Sequence, residues 1–382
     1  MSLSSKEQST NAPLRLHYID GMRAVGCLMA VFHHAFMSHI ARYIISKGYP
    51  VLGDVIWGTT GSCVILFFVV SGVVLLRPFL RDNKKFDPVI FFKKRAIRIF
   101  PTYIVALLFG AAVIWYINAY PTWYNEKGIH VIFTLESTLK QAFLFSIDGV
   151  YYNLAWWSVQ IEVLFYFFIP ILIATFPRRE QLSYRKILII VFSVMAISLS
   201  LQLLLDVYVP KLYSYHNIVQ NVGRIVDYPV CFLMGTLLAV YDFSKKNAYQ
   251  FIAMGIVLVL LQVIYKPAMH TGYGLIYTGL IIITFYNVSI QKVLSTPFLV
   301  WVGERTYSIY LVHFSVFYLI NNLTAHVTTE RDYVYALITR GLGIPIAFFL
   351  SMLLFHFVER KFAKGLITDE MFWPWQTEKM KH

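Results

Sequence analysis

Two histidines stand side by side in an apolar stretch, YIDGMRAVGCLMAVFHHAFMSH, that runs from Tyr18 to His39. Ionisable residues inside an apolar span are costly there, and by default they mark function. An imidazole can act as a general base or as a nucleophile, so His33 and His34 are candidates for either role. Spacing separates the two. Arg23 precedes His34 by eleven residues. At about 100° per residue that is roughly 20° past three turns, so the pair shares one helix face, about 16 Å apart along the axis. His33 points about 80° away from that line, which ranks His34 first. Simpler uses stay open: a histidine can hydrogen-bond to a neighbouring helix, and an arginine at a helix end can mark the cytoplasmic side.

Other stretches carry chemistry of their own. KKRAIRIFPTY holds Arg95 and Arg98, spaced i,i+3 on one face. Arginine forks match phosphate oxygens, although a topology signal or a lipid-headgroup contact would use the same residues. LAWWSVQIEVLFYFFIP holds Glu162, flanked at i−4 and i+4 by Ser158 and Tyr166. Counted from the outer ends of their apolar runs, Glu162 lies about 10 Å deep and His34 about 9 Å deep. Level with each other, a carboxylate would orient the imidazole and stabilise its protonated form. The competing reading is a structural acid paired with Arg224. Arg224 and Asp227 are i,i+3 and could neutralise each other instead. His313 in TYSIYLVHF and His356 in FHFVERKF read as core hydrogen-bonding residues. Ser71-Gly72, in LFFVVSGVVLL, reads as a small-residue packing site, in a setting where no nucleophile elbow can form. Asp20, which precedes Arg23, is a possible supporting group, as are Ser71, Tyr166 and Arg224.

These residues need a membrane scaffold. Of 382 residues, 58% are hydrophobic and 14% are charged, against about 25% charged in soluble domains. We therefore expect an all-α integral membrane protein, a bundle of about ten transmembrane helices. The apolar stretches lie near 22–40, 57–80, 97–119, 154–176, 187–206, 218–241, 249–265, 273–288, 306–322 and 334–358. The formal net charge is +13. With an even number of spans, one side collects about 24 Lys and Arg and the other about seven, and the rich side is cytoplasmic. Both termini then lie there, as tails 1–18 and 361–382 around a membrane domain over 19–360. The polar N-terminus has no signal-peptide pattern. Cys27, Cys63 and Cys231 fall in apolar runs and read as small packing residues. No metal spacing and no nucleic-acid-binding module is visible. The aromatic loop from Tyr120 to Asn153 reads as an interfacial belt, with a sugar-stacking surface as the alternative.

Taken in order, IDGMRAVGCLMAVFHH, FFVVSGVVLL, FFKKRAIRIFPTY, WWSVQIEVLFY, TYSIYLVHF and VERKF resemble the acyltransferase-3 family of multipass membrane acyltransferases. The resemblance implies an Arg-x10-His pair, here Arg23 and His34, and an Arg-x-x-Arg pair, here Arg95 and Arg98. The family's tryptophan-led motif has two consecutive acids, whereas this chain keeps Glu162 and has Val163 next. It implies an O-acyltransferase, most often moving acetyl from acetyl-CoA to a hydroxyl of a glycan or lipid-linked sugar outside the bacterial inner membrane. O-antigen, capsule and exopolysaccharide are the expected acceptors, with a secondary metabolite as the alternative. Acetyl-CoA is then a substrate held by Arg23, Arg95 and Arg98, and no permanently bound cofactor or metal is expected. His34 takes the acyl group or serves as base, and Glu162 shares its proton. The short tail leads us to expect a form without the hydrolase-like domain of many members. A proton-coupled transporter using His34, Glu162 and Arg224 is the rival reading.

Overall fold

The computed structural model describes residues 17–122, 133–144, 146, 151–208, 223–261, 268–325 and 333–362. Every regular element among them is helical. The chain runs through α1 (His17–Ser46), α2 (Pro50–Leu80) and α3 (Pro88–Ala119). A short α4 (Leu135–Ala142) follows, then α5 (Leu154–Thr175), α6 (Tyr184–Tyr208) and α7 (Gly223–Val240). Next come α8 (Lys245–Leu261), α9 (Ala268–Tyr286) and the short α10 (Val288–Leu294) and α11 (Pro297–Glu304). The described chain closes with α12 (Thr306–Ala325) and α13 (Tyr333–Leu354).

Eight of these helices are long and apolar enough to cross a membrane. The other two expected segments are helices as well. α8 is shorter, with 17 residues, and α12 carries several Ser, Thr and Asn residues among its apolar ones. Helix starts follow local chemistry. Asp87 caps α3 by accepting from the Ile90 N–H at 3.0 Å, with Pro88 in the first turn, where its missing N–H costs nothing. Asn153 accepts from the Ala155 N–H at 2.9 Å at the head of α5.

Two features set the depth of one helix against another. The first is close backbone contact. A Cβ on Gly235 of α7 would stand 2.1 Å from the Val69 carbonyl oxygen of α2, and one on Gly72 would stand 2.5 Å from the Phe232 oxygen. Small residues let the two backbones meet there, as expected for Gly72. The second is Trp156, fully buried, whose indole N–H donates to the Leu311 carbonyl of α12 at 3.1 Å. Asn153 Nδ2 donates to the same carbonyl at 2.9 Å.

Three loops meet at one end of the bundle. Arg81, after α2, and Arg179, after α5, both bind the Asp242 carboxylate after α7. This is the end rich in Lys and Arg, and we call it the basic end.

In the loop between α3 and α5, two of the aromatic residues differ from expectation, while Tyr120 is exposed. Trp123, Tyr124, Glu126 and His130 lie outside the described residues. Tyr151 and Tyr152 form neither a belt nor an exposed stacking surface, because both are buried. Tyr151 Oη donates to Gln160 Oε1 at 2.6 Å, and the Tyr152 N–H donates to Gln141 Oε1 at 2.8 Å. The Tyr151 phenol thus finds a polar partner in the interior, as buried Tyr usually does, and the Tyr152 phenol lies 2.7 Å from both Ser137 Oγ and Thr138 Oγ1. The three cysteines are buried and free.

Candidate active site

Helix α1 carries functional groups at two levels. Near its start, Arg23 lines a cavity at the basic end, with about 970 Å³ of empty space when the open mouth is included. Helix α2 contributes Ser71, α3 contributes Lys94, Arg95 and Arg98, and α5 contributes Glu162 and Tyr166. Four cations line this space against two carboxylates, Asp87 and Glu162. Arg95 and Arg98 therefore share one face and one cavity, as their spacing requires. The Arg95 guanidinium lies 5.4 Å from the Phe91 ring centroid and 5.9 Å from that of Tyr166, so aromatic faces offset part of its burial.

The structure corrects the expectation for Glu162. It accepts from Tyr166 Oη at 2.6 Å and lies in electrostatic reach of Arg23 and Arg95. It does not face His34. The reason is depth. Trp156 bonds to Leu311, two positions from His313, and the His313 ring lies beside His34. His34 is thus nearly level with Trp156, and Glu162 sits six residues, or about 9 Å, nearer the basic end. Apolar run ends misjudged this depth because α1 extends to Ser46 and α5 already buries Ala155 and Trp156 in its first turn.

The other site candidates divide. Asp20 is fully buried outside the cavity lining but in electrostatic reach of Arg23, and a Cβ on Gly303 would stand 2.1 Å from its carbonyl oxygen. Arg224 lies over the Trp157 ring at 4.6 Å, also away from the cavity. Asp227 pairs with His270 Nδ1 at 3.0 Å, a partner that helix spacing alone does not reveal. His356 is exposed on the bundle surface, not in the core, because a widened turn, Phe355–Glu359, turns Glu359 inward instead.

At the second level α1 opens into a π turn, His33–Met37. Such turns are rare and frequently occur at functional sites. His34 is half-buried, with the His33 ring at 5.0 Å, the His313 ring at 5.3 Å and the Phe314 ring at 4.7 Å. His33 has Nδ1 at 2.8 Å from Thr60 Oγ1. Arg340 Nη1 donates to the His34 carbonyl at 2.8 Å. Glu359 accepts from Ser308 Oγ at 2.5 Å and lies in electrostatic reach of Arg98 and Arg23. Arg340 and Glu359 are the members that spacing arguments leave out. Arg340 is an ionisable residue inside the last apolar stretch and Glu359 one at its end, which is the signal that could find them.

Chemically, the cavity suits an anion with several oxygens, and the second level suits proton transfer or attack by an imidazole. Among the described residues no group of three His, Cys, Asp or Glu could hold a metal ion.

Residues 16–357 match the family model described as "Acyltransferase domain". Similar curated proteins include three from Staphylococcus aureus, strains COL, MSSA476 and MRSA252, each named "Putative O-acetyltransferase". Each is 25% identical over 390 residues, which cover 91% of this chain and 57% of the relative. The chain thus spans little more than half the length of these relatives. No solved structure matches it at a significant level. With a family match that runs through the whole described helical bundle, this chain belongs to the acyltransferase-3 family of multipass membrane acyltransferases.

Proposed function

We propose that this protein is a membrane O-acyltransferase that moves acetyl from cytoplasmic acetyl-CoA to a hydroxyl of a cell-surface glycan. One observation carries the reading: α1 joins a cation-rich cavity at the basic end to an imidazole about 16 Å further along the helix. A nucleotide thioester has that layout, with phosphates at one end of a long arm and the reactive carbon at the other. Arg23, Arg95 and Arg98 hold the phosphates, with Lys94 beside them. Glu162 and Tyr166 order these guanidinium groups, and Ser71 completes the wall. The thioester reaches His34, which acts as base or takes the acyl group. In the balanced reaction the C–S bond breaks, a C–O bond forms, and the hydroxyl proton ends on sulfur. The acceptor is O-antigen, capsule, exopolysaccharide or a lipid-linked sugar entering from the opposite side.

The protein has ten spans in this reading, with both termini cytoplasmic, in a bacterial inner membrane. The Lys and Arg excess at one end supports that orientation, as does the convergence of Arg81, Arg179 and Asp242. The test is transfer of radiolabel from acetyl-CoA to cell-envelope glycan by membranes carrying wild type or His34→Ala. Glycan label that disappears in inserted His34→Ala is the expected result. Equal labelling by His34→Ala refutes the role of His34. Absence of thioester consumption by folded wild type refutes the activity.

A further inference from the structure

His313 is fully buried and only half satisfied. Its Nδ1 lies 3.1 Å from the Ile309 carbonyl oxygen and 2.9 Å from that of Tyr310. Carbonyl oxygens only accept, so Nδ1 carries the proton, and the neutral ring presents Nε2 as a bare lone pair. That Nε2 is buried without a hydrogen-bond partner. A buried acceptor left unpaired is costly, and the cost has to be set against some use.

The rings around it narrow the use. Phe314 and Phe317 offer no exchangeable proton. The Tyr310 hydroxyl is engaged with the Ala155 carbonyl at 2.9 Å and with Ser158 Oγ at 2.7 Å. The remaining neighbouring ring is His34, at 5.3 Å between centroids and tilted by 31°. That separation suits two imidazoles that can meet nitrogen to nitrogen after a small rotation.

We propose that His313 Nε2 holds the proton of His34 during acyl transfer, a positioning residue acting through the neighbouring ring. The proposal rests on His34 being the reactive imidazole. In a direct transfer, the acceptor hydroxyl gives its proton to one nitrogen of His34 as the C–O bond forms and the C–S bond breaks. The opposite N–H of His34 is then bonded to His313 Nε2, which stabilises the cation until the thiolate takes a proton. Through an acyl-His34 intermediate, the N–C bond forms and the C–S bond breaks. His313 Nε2 takes the N–H proton of His34 and passes it to the thiolate. When the hydroxyl attacks, its proton follows the same route back to His34 as the N–C bond breaks. Both courses end in ester and thiol. The backbone carbonyls that fix the His313 tautomer keep Nε2 ready in either case.

The test uses His313→Asn and His313→Gln in the full chain. Each replaces the base with an amide, and Asn retains a donor for the carbonyls of Ile309 and Tyr310. Membranes receive radiolabelled acetyl-CoA and cell-envelope extract, and detergent-solubilised protein is melted in parallel. We expect near-normal melting, a KM for acetyl-CoA within about threefold of wild type, and kcat lower by on the order of 100-fold or more. A folded variant with kcat within threefold of wild type overturns the proposal. So does a joint loss of melting temperature, KM and kcat in both variants, which assigns His313 to the fold. Wild-type membranes that transfer no label refute the underlying activity, and that outcome is distinct because it involves no variant.

Discussion

Replacing Arg340 by methionine tests whether the π turn of α1 holds His34, the imidazole proposed to react, in place. Arg340 is 6% exposed, and its Nη1 donates to the His34 carbonyl at 2.8 Å. Across the same turn, the Ser38 N–H reaches back five residues to the His33 carbonyl. The widened turn is thus held from inside by its own ladder and from outside by a cation. A hydrogen bond from a charged group contributes about 1.5–3 kcal/mol. Without it, the turn is free to relax into α register, and a shift of one residue rotates the side chains of the turn by up to about 100° relative to the rest of the helix. That rotation carries His34 off the rings of His313 and Phe314, now at 5.3 and 4.7 Å. The same 1.5–3 kcal/mol corresponds to a turnover loss of about 10- to 100-fold. Arg340→Lys should recover part of it, since an ammonium reaches the carbonyl but lacks the fork. The KM for acetyl-CoA should hardly move, because Arg340 is not part of the cavity lining. The assay is label transfer by membranes with matched protein levels, together with melting in detergent. Turnover of Arg340→Met within twofold of wild type, at unchanged melting temperature, would refute the reasoning.

Two further outcomes are expected from the cavity and the scaffold. Arg95→Ala should raise the KM for acetyl-CoA by about 10- to 100-fold, the worth of one charge-assisted hydrogen bond, with a smaller change in kcat; an unchanged KM in a donor titration would remove Arg95 from the phosphate site. Gly235→Val should lower stability by about 1–3 kcal/mol or more through overpacking, because its Cβ would stand 2.1 Å from the Val69 oxygen; detergent melting and membrane yield report it, and a wild-type melting curve would contradict the close crossing of α2 and α7.

Much of this protein was legible along single helices. The apolar runs located the helices, although α1, α2 and α3 extend beyond them. Residue spacing set Arg95 beside Arg98 in one cavity, because the rise and rotation of a helix are constants. Gly72 read correctly as a crossing point, and its neighbour Ser71 lines the cavity. Relations between helices were a different matter. Glu162 joined the arginines instead of His34, Asp227 went to His270, His313 came beside His34, and Arg340 closed on the π turn from 306 residues away. Helical spacing determines the face and the height of a residue on its own helix. It leaves open the relative depth and rotation of two helices, which depend on contacts such as Trp156 with Leu311 and Gly235 with Val69. A slide of one turn, about 5 Å, changes every partner across the interface while leaving each helix's own pattern intact.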